Sequence, residues 1–117
     1  MAQDFQPGDF LIFQLEAGYG LLRVLATEDT GGERVWHIRA YSDLFPDVDS
    51  AEAALDGTLA VAIDHVALTN RAFESTQVAG IGNRALTADE TAPFARWIAS
   101  PERFISDRSI RLLLGLR

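Results

Sequence analysis

The chain contains no cysteine and no lysine. Without thiols it can form no disulfide, no thiolate nucleophile and no zinc ribbon. All ten basic residues are arginine, which in an alanine-rich chain reads as genome base composition rather than recognition chemistry. Long apolar runs are also missing; the longest fall far short of the roughly 20 residues a membrane helix needs. The opening "MAQDFQPGDF" has neither a basic stretch nor an apolar core, so no signal peptide and no membrane partner are expected, and a cytoplasmic location is. Positive charge is scarce: 10 arginines face 17 Asp and Glu, for a net charge of −7 and a pI of about 4.6. Nucleic acid is therefore not an expected ligand, because a basic face normally supplies most of that affinity. A basic protein partner remains compatible with the charge, and so does simple solubility.

What remains is an ordinary globular balance. The 117 residues are 48% hydrophobic and 23% charged, which suits one domain over 1–117 with a real core. There is no repeat, low-complexity segment or linker. "DFLIFQLE" (9–16) alternates Leu11, Phe13 and Leu15 against Phe10, Ile12 and Gln14, a strand apolar on one face and mostly apolar on the other. "GYGLLRVLA" (18–26) follows a short glycine-containing turn, and "TEDTGGE" (27–33) reads as the next turn. "RVWHIRAY" (34–41) sets Trp36, Ile38 and Ala40 on one face and His37, Arg39 and Tyr41 on the other.

"TLAVAIDHVAL" (58–68) reads as a fourth strand, with Leu59, Val61, Ile63 and Ala67 in phase. "FESTQVAGI" (73–81) is either a fifth strand or irregular extended chain. Asp49 or Ser50 can cap a short helix over "AEAALD", with Gly57 as its stop. In "TADETAPFARWIA" (87–99), Thr87 and Glu90 have capping-box spacing, Pro93 favours a helix start near Thr91, and Phe94, Trp97 and Ile98 share an apolar face. "SIRLLLGLR" (109–117) alternates Ile110, Leu112, Leu114 and Leu116 and reads as a closing strand. The expected fold is α+β: a curved, mainly antiparallel sheet, as in a half-open small barrel, with two short helices.

The densest charge is in "SDLFPDVDSAEAALD" (42–56), with Asp43, Asp47, Asp49, Glu52 and Asp56 and no base. It is not a calcium loop: the pattern begins correctly at Asp47 and Asp49 but has Ala51, Glu52 and Thr58 where a ligand, a glycine and a glutamate are required. It reads as solvated carboxylates at a helix start or as a surface for a basic partner. His37 and His65 lack metal-ligand spacing, and His65 suits a hydrogen-bonded structural role, so no metal and no cofactor are expected. No serine sits in a Gly-x-Ser-x-Gly setting, and neither "GYG" nor "GIGN" is a phosphate loop. No catalytic residue is assigned. Trp36, Tyr41, Phe94 and Trp97 read as core or as the lining of a ligand groove.

Two stretches together resemble the Immunity protein 26 family of bacterial polymorphic-toxin systems. "GDFLIFQLEAGYGLLRVLA" (8–26) is similar to its Gly-Asp, strand, Gly/Tyr turn, strand opening, and "VAGIGNRALTADETAPF" (78–94) to a later segment with "iGN", acidic residues and Pro-Phe. Leu21-Leu22 and Arg84-Ala85 depart from that pattern, and the likeness does not extend to residues 42–56 or the C-terminus. The resemblance implies a non-enzymatic antidote that binds and neutralises a cognate, basic toxin by stoichiometric occlusion. Within it Gly8, Asp9, Gly80, Gly82 and Asn83 look architectural. For such a partner the expected contact residues are Asp43, Asp47, Asp49, Glu52 and Asp56, chosen on charge density. The alternative function is a small-ligand or regulatory binding module with an aromatic-lined groove.

Overall fold

The computed structural model describes residues 4–115. Five antiparallel strands form one sheet in the order β4-β3-β2-β1-β5. They are β1 (Asp9–Leu15), β2 (Gly18–Thr30), β3 (Glu33–Tyr41), β4 (Val61–Thr69) and β5 (Val78–Asn83). The sheet is curved and does not close, so the α+β expectation holds, while the helices number four among the described residues rather than two. In the meander β1–β2–β3, β1 and β3 follow the predicted alternation. Its second turn is tighter than the expected 27–33: only Gly31 and Gly32, at φ 59° and 85°, leave the ladder. Two consecutive positive-φ residues match the twist of a two-residue hairpin, which lets β2 run on to Thr30.

One sheet face carries the main core. Leu11, Phe13, Leu22, Val24, Trp36, Ile38, Ala40 and Leu68 pack there against Ala72 and Phe73 of α2 (Asn70–Thr76) and Ile110 of α4 (Ile110–Leu114). Trp36 stacks on Phe73 with ring centroids 4.0 Å apart, and its indole N–H donates to Asn70 Oδ1 at 2.8 Å. Gly20 lies in register with Phe13, and any side chain there would overlap the Phe13 ring. The opposite face holds Phe10, Ile12, Leu21 and Tyr41 under Ala51 and Leu55, from α1 (Val48–Ala53) and its C-terminal flank. The predicted phase of 58–68 does not survive. Val66 and Leu68 pair with Ile38 and Trp36 on the main-core face, which sends His65 to the other face to meet His37, and a bulge near Ala40 brings Ile63 onto the core face as well.

Two helices occupy segments read as extended. Thr69 accepts from Ala72 N at 3.1 Å and starts α2, and Gln77, left-handed at φ 58°, stops it just before β5. Ser109 caps α4, and Gly115 at φ 70° ends it. The C-terminal leucines fit both periods: Ile110, Leu112 and Leu114 alternate, but Ile110, Leu113 and Leu114 also have helical i, i+3, i+4 spacing. The caps at both ends decide for the helix. Residues 116–117 of the expected strand lie outside the described residues.

A strand would place Ile110 and Leu112 on the same side. In the helix Ile110 is fully buried and Leu112 is 68% exposed. Ile110→Ala is therefore expected to cost about 2–4 kcal/mol in urea unfolding, and Leu112→Ala no more than about 0.5 kcal/mol. Equal losses would contradict the helical assignment.

Candidate functional site

Alternation along β3 sends His37, Arg39 and Tyr41 to the face opposite the main core, as the sequence predicts. There they meet Arg23 of β2, which is paired in register with Arg39. Over this polar row lies α3 (Ala88–Ala99). Its start is fixed by a full capping box: Thr87 accepts from Glu90 N, and Glu90 Oε1 accepts from Thr87 N at 2.8 Å. The helix thus begins at Ala88, earlier than expected, and Pro93 falls inside it. There Pro93 forgoes one backbone hydrogen bond.

Arg23 is the only arginine among the described residues to be buried, with its side chain 4% exposed. Every branch of its guanidinium is used. Nε donates to Gly8 O at 3.1 Å, Nη2 to Arg84 O at 2.6 Å and Nη1 to Glu90 Oε2. The plane lies 4.1 Å from the centre of the Phe10 ring. One side chain therefore joins the segment before β1, the β5–α3 connection and the cap of α3. Residues 8–26 and 78–94 are tied to each other by these bonds, by the β1–β5 ladder and by contacts at its end. Arg84 N donates to Gly8 O at 3.1 Å, and Asn83 Nδ2 to Asp9 Oδ1 at 2.7 Å.

Beside Arg23 runs a chain of three titratable groups, Glu28–His37–His65. His37 is completely buried; its Nε2 lies 2.7 Å from Glu28 Oε1 and its Nδ1 2.9 Å from His65 Nε2. With both rings neutral, one tautomer pair satisfies these contacts: His37 Nε2–H donates to the carboxylate, and His65 Nε2–H donates to His37 Nδ1. Phe94 and Trp97 of α3 close over His37 at centroid distances of 4.5 and 4.6 Å. Burial lowers the pKa of His37, against the opposing pull of Glu28. Burial, reinforced by His37, pushes His65 down to about 4. The sequence separates the two histidines by 28 residues; the β3–β4 pairing, with His37 opposite Ala67, brings His65 to the same face.

The predicted aromatic groove is not assembled. Trp36 is buried on the other face, Tyr41 lies beneath α1's flank, and Phe94 and Trp97 cover the histidines. Ile98, expected on their apolar face, is 39% exposed. The acidic segment resolves into distinct roles. Asp47, rather than Asp49 or Ser50, caps α1, accepting from Ser50 N at 2.7 Å, which lowers its pKa. Asp43 accepts from Ala60 N at 2.6 Å, and Asp56 pairs with Arg84 at 2.6 Å. α1 ends at Ala53, with Ala54 as its C-cap, before the expected Gly57. Asp49 and Glu52 are exposed. Among the described residues, no group of three or more His, Asp or Glu side chains is arranged to hold a metal, and no helix is long and apolar enough to cross a membrane. Comparison of the chain with family models, with curated proteins and with solved structures returns no match.

Two outcomes follow from this geometry. Arg23→Gln would leave Glu90 without its cation and several carbonyls short of a donor, and should cost about 3–5 kcal/mol by chemical denaturation. The histidines set a pH dependence. Their folded pKa values lie below the unfolded value of 6.5, so the unfolded chain binds more protons between pH 6.5 and 4. The stabilisation they represent is complete above pH 6.5 and is lost as pH falls toward 4. The loss is on the order of 1–2 kcal/mol, once the solvent access of the half-buried His65 discounts the full shift. A His65→Gln variant should show a flatter decline over this window in denaturation series at fixed ionic strength.

Proposed function

We propose that this chain works by binding a basic protein, as an immunity protein that neutralises a cognate toxin by stoichiometric occlusion. The observation that carries this reading is the acidic segment around α1. Asp43 and Asp47 are held by backbone donors, while Asp49 and Glu52 stand exposed on the helix that Asp47 caps. Charges fixed to a braced segment attract an oppositely charged partner without a large ordering cost. The chain's net charge of −7 adds a long-range field of the same sign. The resemblance of residues 8–26 and 78–94 to immunity proteins supports the partner class. Asp56, neutralised by Arg84, contributes least, so the contact set narrows to Asp43, Asp47, Asp49 and Glu52.

The direct test is co-expression with the toxic C-terminal domain of a large secreted protein encoded beside this gene. Restored growth and a one-to-one complex support the reading; toxicity without a complex overturns it. The acidic surface is tested separately. Asp49→Asn with Glu52→Gln should slow association about 3–10-fold at low salt and much less at high salt, because such charges act on encounter. Stability should change by no more than about 0.5 kcal/mol. Asp47→Ala, by contrast, should measurably lower stability through loss of its cap. Unchanged association in the double variant would assign Asp49 and Glu52 to solubility.

A further inference from the structure

Between α1's C-terminal flank and the N-terminal end of α3 lies a cleft of about 150 Å³. Most of its exposed lining is polar, from Arg23, Arg39, Tyr41 and Glu90, and Phe10, Leu55, Leu59 and Val61 add an apolar patch. We infer that this cleft binds a small carboxylate with a short apolar tail, held by Arg39. Nothing in this inference rests on the toxin-binding reading.

The asymmetry between the two arginines carries it. Arg23 and Arg39 face each other across β2 and β3, an arrangement that is unfavourable unless the charges are met. Arg23 is met by the Glu90 carboxylate, whose other oxygen is occupied by Thr87 N. Arg39 has only carbonyl partners: its Nε donates to Asp64 O at 3.2 Å and its Nη2 to Glu90 O at 3.4 Å. Among the described residues no carboxylate lies within ion-pair distance of it. Counting Arg23, Arg39 and Glu90, the cleft carries one net positive charge in a chain of net charge −7. The Tyr41 phenol is protonated at neutral pH, and burial raises its pKa further against the pull of Arg23, so its hydroxyl is available as a donor.

A guanidinium and a phenol beside a small apolar patch suit a carboxylate head and a short aliphatic tail. The volume is below the roughly 300–1,000 Å³ typical of drug-sized ligands, which restricts the occupant to a few non-hydrogen atoms. The larger hollow of about 540 Å³ beside β5 offers no comparable charge. Its one ionised side chain, Glu74, already accepts from Asn70 Nδ2.

The test is a titration of the full chain with sodium 3-methylbutanoate, followed by amide and side-chain NMR shifts. The expected result is a saturable change at Arg39, Tyr41 and Val61 with a Kd of roughly 0.1–1 mM, as befits so small a ligand. Arg39→Gln should weaken binding roughly 10-fold or more. On the unaltered protein, 3-methylbutan-1-ol, which keeps the tail and lacks the charge, should produce no saturable change there. Absence of saturation by the carboxylate, or equal binding of the alcohol, overturns the inference. So does unchanged affinity in a folded Arg39→Gln. The alcohol comparison decides the matter if that variant fails to fold.

Discussion

The Arg23 guanidinium is the contact on which the rest of one sheet face depends. A buried cation is tolerated only when its donors are matched and its charge is opposed. Here the matching groups come from three separate parts of the chain: Gly8 before β1, Arg84 after β5, and Glu90 in the first turn of α3. None is close to Arg23 in sequence, so the arginine fixes long-range geometry that hydrophobic burial alone leaves loose. α3 needs such a tether. No residue of that helix is fully buried, and its apolar side chains only half-cover the sheet. Its position therefore rests on the Glu90–Arg23 pair at one end and the Phe94 and Trp97 contacts with His37 further along.

This tether explains the state of the neighbouring histidines. With α3 drawn onto the sheet, His37 loses water and His65 loses part of it. Two imidazoles at hydrogen-bond distance cannot both be charged cheaply, and burial opposes charging either. Glu28 anchors one end of the chain as acceptor and sets the tautomers; its charge favours protonating His37, and burial outweighs that pull. The group is a structural polar network that rigidifies the contact between α3 and the sheet, and it becomes a weakness of the fold in acid.

The legible part of the sequence was the part governed by short-range periodicity. The alternation of 9–15 and 34–41 places the core and polar faces, and the Thr87–Glu90 spacing identifies the cap of α3. Three kinds of information were not local. Bulges at Leu25 and near Arg39 reset the phase of β2 and β4, and a strict period-2 reading cannot see them. The leucines of 110–114 satisfy two periods, and the choice lay in Ser109 and Gly115 rather than in the apolar pattern. Arg23 looked like one charged residue in an otherwise apolar strand. The signal available was its very isolation inside "GLLRVLA", where a charge on the sheet requires distant partners.

The acidic stretch holds residues of one charge with unequal structural duties. Read as composition, Asp43, Asp47, Asp49, Glu52 and Asp56 are equivalent. The fold separates them by what each oxygen accepts. Asp43 and Asp47 satisfy backbone N–H groups that would otherwise be orphaned at Ala60 and at the start of α1. Asp56 joins the end of this segment to Arg84, whose carbonyl already receives Arg23. The segment is thereby bound into the same network as α3, and it contributes Leu55 to the cleft wall. A carboxylate that accepts a neutral backbone donor keeps its negative charge. Asp43 and Asp47 can thus brace the segment while adding to the field of Asp49 and Glu52. An ion pair differs, because Arg84 cancels most of what Asp56 would project. Structural duty and a projected negative field are therefore compatible at the capping residues and opposed at the salt bridge, and this divides the segment into a charged part and a neutralised end.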